Sequence, residues 1–231
     1  MNNAVDRNRN NCWQWPAVVA ALCAVLPLLA AVASYLISAT LNQVPWCWPM
    51  FEGCTSISRA GRNEPAIFIF RLLLLPQAVL LVLCWALVRG WLHQRGINAG
   101  QTRNLLIAGV VGALALALYV DFLGSNGEFY QFMRRFGITF YFAGTGLAQL
   151  MTVRLLRPQG GQSVAQLWLW YLVLGQWLLA IVHVVLKIML ADYDRWENRL
   201  EWSLALLMTL WFAALAWQFH RDRVQVVLTR Q

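Results

Sequence analysis

The chain has 231 residues, of which 60% are hydrophobic and 12% charged, about half the charged fraction usual in a soluble domain of this size. Uncharged runs such as 17–39 and 105–120 exclude an ordinary water-soluble fold, because several helices would then be apolar all round. The net charge of +8 also fails as a nucleic-acid signature once its distribution is considered, as shown below.

The first fifteen residues are polar. The run 17–39 is longer than the apolar core of a secretory signal and lacks a clear small-residue cleavage site, so it reads as a retained first helix. Further helices are predicted at 66–91, 104–123, 136–156, 165–190 and 199–219. Each reaches the roughly 20 residues that span a hydrocarbon core, and a helix satisfies its own backbone polar groups there. The second contains Pro76, which removes a backbone donor and predicts a kink. The third carries Gly109, Gly112, Ala113, Ala115 and Ala117, and the fourth Gly137, Gly144 and Gly146; small residues of this kind permit close helix approach. Connections at 92–103, 124–135, 157–164 and 191–198 are short, leaving 40–65 as the single long loop. The fold class that follows is all-α: a polytopic membrane protein with a six-transmembrane-helix bundle. The organisation is a cytoplasmic N-terminal segment (1–16), a membrane domain (17–219) and a cytoplasmic tail (220–231).

Orientation comes from the charges. With both termini cytoplasmic, the inner segments hold Arg7, Arg9, Arg89, Arg95, Arg103, Arg154, Arg157, Arg221, Arg223 and Arg230 against Asp6 and Asp222, a surplus of eight. The outer segments hold eight basic and eight acidic residues. The positive-inside rule thus accounts for the whole surplus and makes both termini cytoplasmic. Tryptophans are expected in interfacial belts: Trp46, Trp48, Trp196 and Trp202 outside, Trp13, Trp15, Trp91, Trp168, Trp170 and Trp217 inside.

Ionisable groups within membrane helices are costly and mark candidate sites. Here they are Arg71, Asp121, His183, Lys187 and Glu201, all near the outer ends of their helices. His183 and Lys187, four residues apart, share a helix face. One reading gathers Arg71, Lys187, Asp121 and Glu201 into an outward-facing cleft for a lipid headgroup or acidic ligand, with Arg71 and Lys187 as its anion partners. The other makes them inter-helix salt bridges or groups snorkelling to the interface. Cys47 and Cys54, in the outer loop with Pro49 and Gly53 between them, fit a structural disulfide. The alternative is a thiol-exchange site, although the spacing is not Cys-x-x-Cys and no second outer pair relays electrons. Cys12, Cys23 and Cys84 read as small apolar residues. Three histidines split between the two sides do not assemble a metal site, and no cofactor is implied. Ser56, Ser58 or Cys54 as a nucleophile would need His183 or a carboxylate as base.

The segment Thr55-Ser56-Ile57-Ser58-Arg59-Ala60-Gly61-Arg62-Asn63-Glu64-Pro65, followed by Phe70-Arg71, resembles the Ser-x-Ser-x-x-Gly-x-x-x-Pro and aromatic-Arg pattern that opens the second helix in the DRAM family. That family comprises damage-regulated autophagy modulators and membrane proteins of GPI-anchor lipid remodelling. Glu197-Asn198-Arg199-Leu200-Glu201-Trp202 resembles the Glu-Trp or Glu-Tyr signature opening the family's sixth helix. The resemblance implies six helices, cytoplasmic termini and a long first outer loop, and it singles out Ser56, Ser58, Gly61, Pro65, Arg71, Glu201 and Trp202. Gly61 and Pro65 suit a fixed turn back into the membrane, and Arg71 and Glu201 are complementary charges. The histidine that some GPI-remodelling relatives carry in the second outer loop is replaced here by Gly127-Glu128-Phe129-Tyr130-Gln131.

The expected function is recognition of membrane lipid or lipid-linked headgroups in lipid remodelling or envelope maintenance. Short loops and the near-exclusive use of arginine point to a bacterial inner membrane. The alternatives are an adaptor that binds other membrane proteins through its small-residue helix faces, and a thiol oxidoreductase. Nucleic acid is not an expected partner.

Overall fold

The computed structural model describes residues 14–157 and 163–224. The N-terminal segment with Cys12 and Trp13, the middle of the 157–164 connection, and the tail beyond Val224 lie outside the described residues. Six long helices form the body: α1 (Trp15–Thr40), α4 (Ala66–Gln94), α5 (Ala99–Phe122), α6 (Glu128–Leu156), α7 (Val164–Met189) and α8 (Asp194–Arg221). Two one-turn helices, α2 (Pro49–Glu52) and α3 (Ile57–Ala60), lie within the long loop. Each long helix is long and apolar enough to cross a bilayer. The protein is therefore an all-α, multi-pass membrane protein.

Packing neighbours run α1, α4, α5, α6 in one direction and α1, α8, α7 in the other, closing the six into a ring whose loosest joint is between α6 and α7. The tightest is between α5 and α6, where glycines let the backbones approach. A Cβ on Gly144 would lie 2.8 Å from the Ala108 carbonyl oxygen, and one on Gly137 2.9 Å from the Tyr119 Cα; any larger residue pushes the helices apart. Both interior prolines are accommodated without interrupting their helices. Pro27 in α1 leaves the carbonyl four residues earlier without its usual donor, and the Gln77 side-chain amide of α4 donates to that carbonyl, Cys23 O, at 3.2 Å.

Several helices begin earlier than the hydropathy boundaries, because capping chemistry and not apolarity sets a helix start. Asn98 accepts from the Gly100 N–H at 2.7 Å and starts α5 at Ala99 instead of 104. Ser163 forms a reciprocal capping box with Gln166 at the head of α7. The largest difference is α6, which starts at Glu128 instead of 136, so most of the expected 124–135 connection is helix. The tryptophans expected at the two interfaces differ in exposure. Trp46, Trp48, Trp168 and Trp217 are exposed, but Trp91 and Trp202 are buried, where the indole N–H of each donates to a protein partner, Asp222 and Thr55 O respectively.

Candidate functional site

The long loop is a rigid cover over one end of the bundle. Cys47 and Cys54 are disulfide-bonded, and the Tyr35 hydroxyl of α1 donates to the Cys47 carbonyl at 2.7 Å while accepting from the Cys47 N–H at 2.8 Å. Gly53 closes α2 in the left-handed region, at φ 67°, where a side chain is disfavoured. Its carbonyl accepts from the Asn198 amide at 2.8 Å, and the Trp202 indole N–H donates to the Thr55 carbonyl at 3.0 Å, so α8 holds the loop from below. Ser56 is the N-cap of α3, its Oγ accepting from the Arg59 N–H at 3.0 Å. Ser38 Oγ of α1 donates to the Ala60 carbonyl at 2.7 Å. Gly61 has ordinary backbone angles, and glycine is required there because a Cβ would lie 2.8 Å from the Phe70 ring. Pro65 caps the start of α4.

Two cavities lie beneath this cover. The first, of about 810 Å³, sits inside the ring between α1, α4, α5, α6 and α8 and is roofed by 46–52; its walls are almost wholly apolar and carry no cation. The second, of about 1000 Å³, is a cleft at the α6/α7 joint, floored by α8 and bounded by the Ser58–Arg62 turn. Arg62, Arg134, Arg135 and Lys187 line it with only Glu197 and Glu201 as carboxylates, and His183 and Gln176 add polar groups. Tyr119, Ile138, Phe142 and Glu201 line both cavities, so the two spaces share a wall at the half-buried Glu201.

Three of the cleft's charged groups, Arg62, Arg134 and Glu201, are held by backbone. Arg134 donates to the Ser125 carbonyl at 2.9 Å and Arg62 to the Ser58 carbonyl at 3.3 Å. A Glu201 carboxylate oxygen accepts from the Ser58 N–H at 3.4 Å. Among the described residues the one ion pair is Arg95 with Asp222, at the opposite end of the bundle. Partial desolvation, then the like charges of Arg134 and Arg59, draw the Arg62 guanidinium below its ordinary value; it stays charged at any neutral pH. His183 Nδ1 lies 2.7 Å from the Tyr193 hydroxyl. Desolvation, then Glu197, push that phenol up to about 12, so it keeps its proton and fixes the imidazole's orientation.

No family model, curated protein or solved structure matches the chain.

Of the residues singled out in the sequence, Ser58, His183, Lys187 and Glu201 line the polar cleft. Ser56 and Gly61 build the turn beside it, and Trp202 and Glu201 lie on the wall of the apolar cavity. Arg71 and Asp121 belong elsewhere. The Arg71 guanidinium donates to the Asp121 and Leu123 carbonyls, at 2.9 and 2.8 Å, satisfying the orphan end of α5. The Asp121 side chain is exposed, so the expected four-charge cluster does not form. The residues missed were Arg134 and Arg135, assigned to a connection that is in fact the second turn of α6, and Tyr119, which looks in sequence like one more apolar ring of α5.

Proposed function

We propose that the polar cleft binds the anionic headgroup of a membrane lipid or lipid-linked molecule, as the recognition step of lipid remodelling or envelope maintenance. The observation that carries this reading is the convergence of Arg62, Arg134, Arg135 and Lys187 on one cleft with only two carboxylates. Uncompensated cations beside low-dielectric walls attract an anion with several acceptor oxygens, and guanidinium groups suit a phosphate. The cleft's apolar surfaces, from Phe142, Trp177 and Val184, suit the hydrocarbon next to such a headgroup. The DRAM resemblance is in keeping with this, since its motif residues Ser58 and Glu201 stand at the cleft. We place the cleft on the outer face of a bacterial inner membrane, with both termini cytoplasmic.

Mass spectrometry of lipids retained by the purified protein tests the reading. Each charged hydrogen bond contributes roughly 1.5–3 kcal/mol, so Arg134→Gln with Lys187→Gln is expected to lower retention of anionic lipid by at least about tenfold relative to zwitterionic lipid. Gly146→Leu is the uncharged control: a Cβ there meets nothing within 4 Å, so the fold tolerates it while the side chain occupies the cleft. Unchanged lipid profiles in both variants would overturn the proposal. The adaptor reading is favoured by one observation, the low burial of α7, only 11% of whose apolar window is covered by the protein. Crosslinking from Leu178 or Ile181 that recovers one stoichiometric membrane protein, with no bound lipid, would support it instead.

A further inference from the structure

The apolar cavity is left without a role by a headgroup site alone. It lies between five helices under the disulfide-bonded segment and is half open, with the exposed Leu28, Val32, Leu36 and Trp48 on its rim, and the charged residues on its wall are Glu52 at the roof and Glu201 at the shared boundary. Water inside would find few partners, and water is stable in a protein only where it meets several polar groups. An anion is disfavoured, because the two charges present are acidic. The size and lining are those of a site for an apolar ligand with one polar end. Its polar end is defined, since Tyr119 and Glu201 form the wall shared with the cationic cleft. The cleft beside that wall opens at the loosest joint of the ring, where Trp177 and Val184 of α7 are exposed.

We propose that the apolar cavity is a chain pocket, and that the protein takes a phosphate bearing a hydrocarbon chain with the phosphate in the cleft and one chain in the cavity. The junction of the two lies at Tyr119 and Glu201, and the chain passes from the bilayer between α6 and α7. This rests on the headgroup reading for the phosphate, while the chain pocket stands on the geometry of the cavity. Two sources supply this chemistry, a diacyl phospholipid and a polyprenyl phosphate.

The test is photolabelling of the full chain in phosphatidylcholine nanodiscs. Three probes carry a diazirine at the chain terminus: phosphatidylglycerol, a polyprenyl phosphate and phosphatidylcholine. Label on Leu74 or Leu116, inside the ring, by either anionic probe in excess of that by phosphatidylcholine is the expected result, and the stronger of the two identifies the source. Ala205→Phe, which fills the cavity, is expected to cut that label by at least about tenfold, and Ile57→Phe at the start of α3, also on the cavity wall, serves as the second variant if the first misfolds. Label confined to outward-facing residues such as Val79 and Leu114, insensitive to Ala205→Phe, overturns the chain pocket, whatever Arg134→Gln does to headgroup preference. Equal interior labelling by phosphatidylcholine, unaffected by Arg134→Gln, leaves the chain pocket standing and overturns the anionic-headgroup reading.

Discussion

At the scale of the residue, Arg71 illustrates how an ionisable group in a membrane helix serves structure. Its guanidinium bonds two carbonyls at the end of α5, a place where the helix has no donors of its own. Arg71→Met is expected to destabilise the protein by roughly 1.5–3 kcal/mol, the cost of losing charged hydrogen bonds, while leaving its lipid selectivity unchanged. Thermal unfolding in detergent and the lipid profile measure the two effects separately, and a selectivity change with unaltered stability would contradict this assignment. Gly61 makes a comparable point about space. Gly61→Val must displace the fully buried Phe70 ring, and overpacking of this kind costs about 1–3 kcal/mol. A midpoint unchanged by the substitution would show that Phe70 yields freely.

At the scale of the element, the hydropathy pattern alone located all six long helices, because hydrocarbon thickness imposes a length that few other constraints mimic. It located some ends to within a residue, as at Ala66, Leu156 and both ends of α7, but not the starts of α5, α6 and α8, since helices continue into the interfacial region wherever capping groups support them, as at Asn98. That is why Arg134 and Arg135 were read as a connection and their place in the cleft was lost. Ser58, His183, Lys187 and Glu201 were legible because charge or a motif marked them. Pairing was not legible, because it depends on which helices are neighbours in the ring, and α6 with α7 is the joint that sequence order suggests but does not specify. The loop is the element most dependent on a covalent link. The seven-residue separation of Cys47 and Cys54 corresponds, by loop-closure entropy, to about 2.5 kcal/mol. Cys47→Ser is therefore expected to lower the unfolding midpoint without abolishing lipid retention; complete loss of function in a protein that stays folded would instead favour thiol chemistry.

At the scale of the whole molecule, the fold puts the two cavities and the 40–65 loop at one end, with Arg95 and Asp222 at the other. That other end carries Arg89, Arg95, Arg103, Arg154, Arg157, Arg221 and Arg223 against Asp222 among the described residues. Basic excess of this kind is retained on the cytoplasmic side during insertion. The cleft end has no such excess, its cations being offset by acidic residues of the loops, so translocating it conflicts with no charge rule even though the cleft itself is locally cationic. In intact cells, single cysteines at Glu64, Asn126 and Asp192, which are exposed at the cleft end, are thus expected to react with an impermeant maleimide. A cysteine at the exposed Asn98 is expected to react only after permeabilisation. The reverse pattern would turn the cleft toward the cytoplasm and carry the arginine-rich end across the membrane, against the positive-inside rule. In that case the lipid it selects would have to come from the inner leaflet, and the assignment to envelope maintenance on the outer face would fail while the geometry of the site remained.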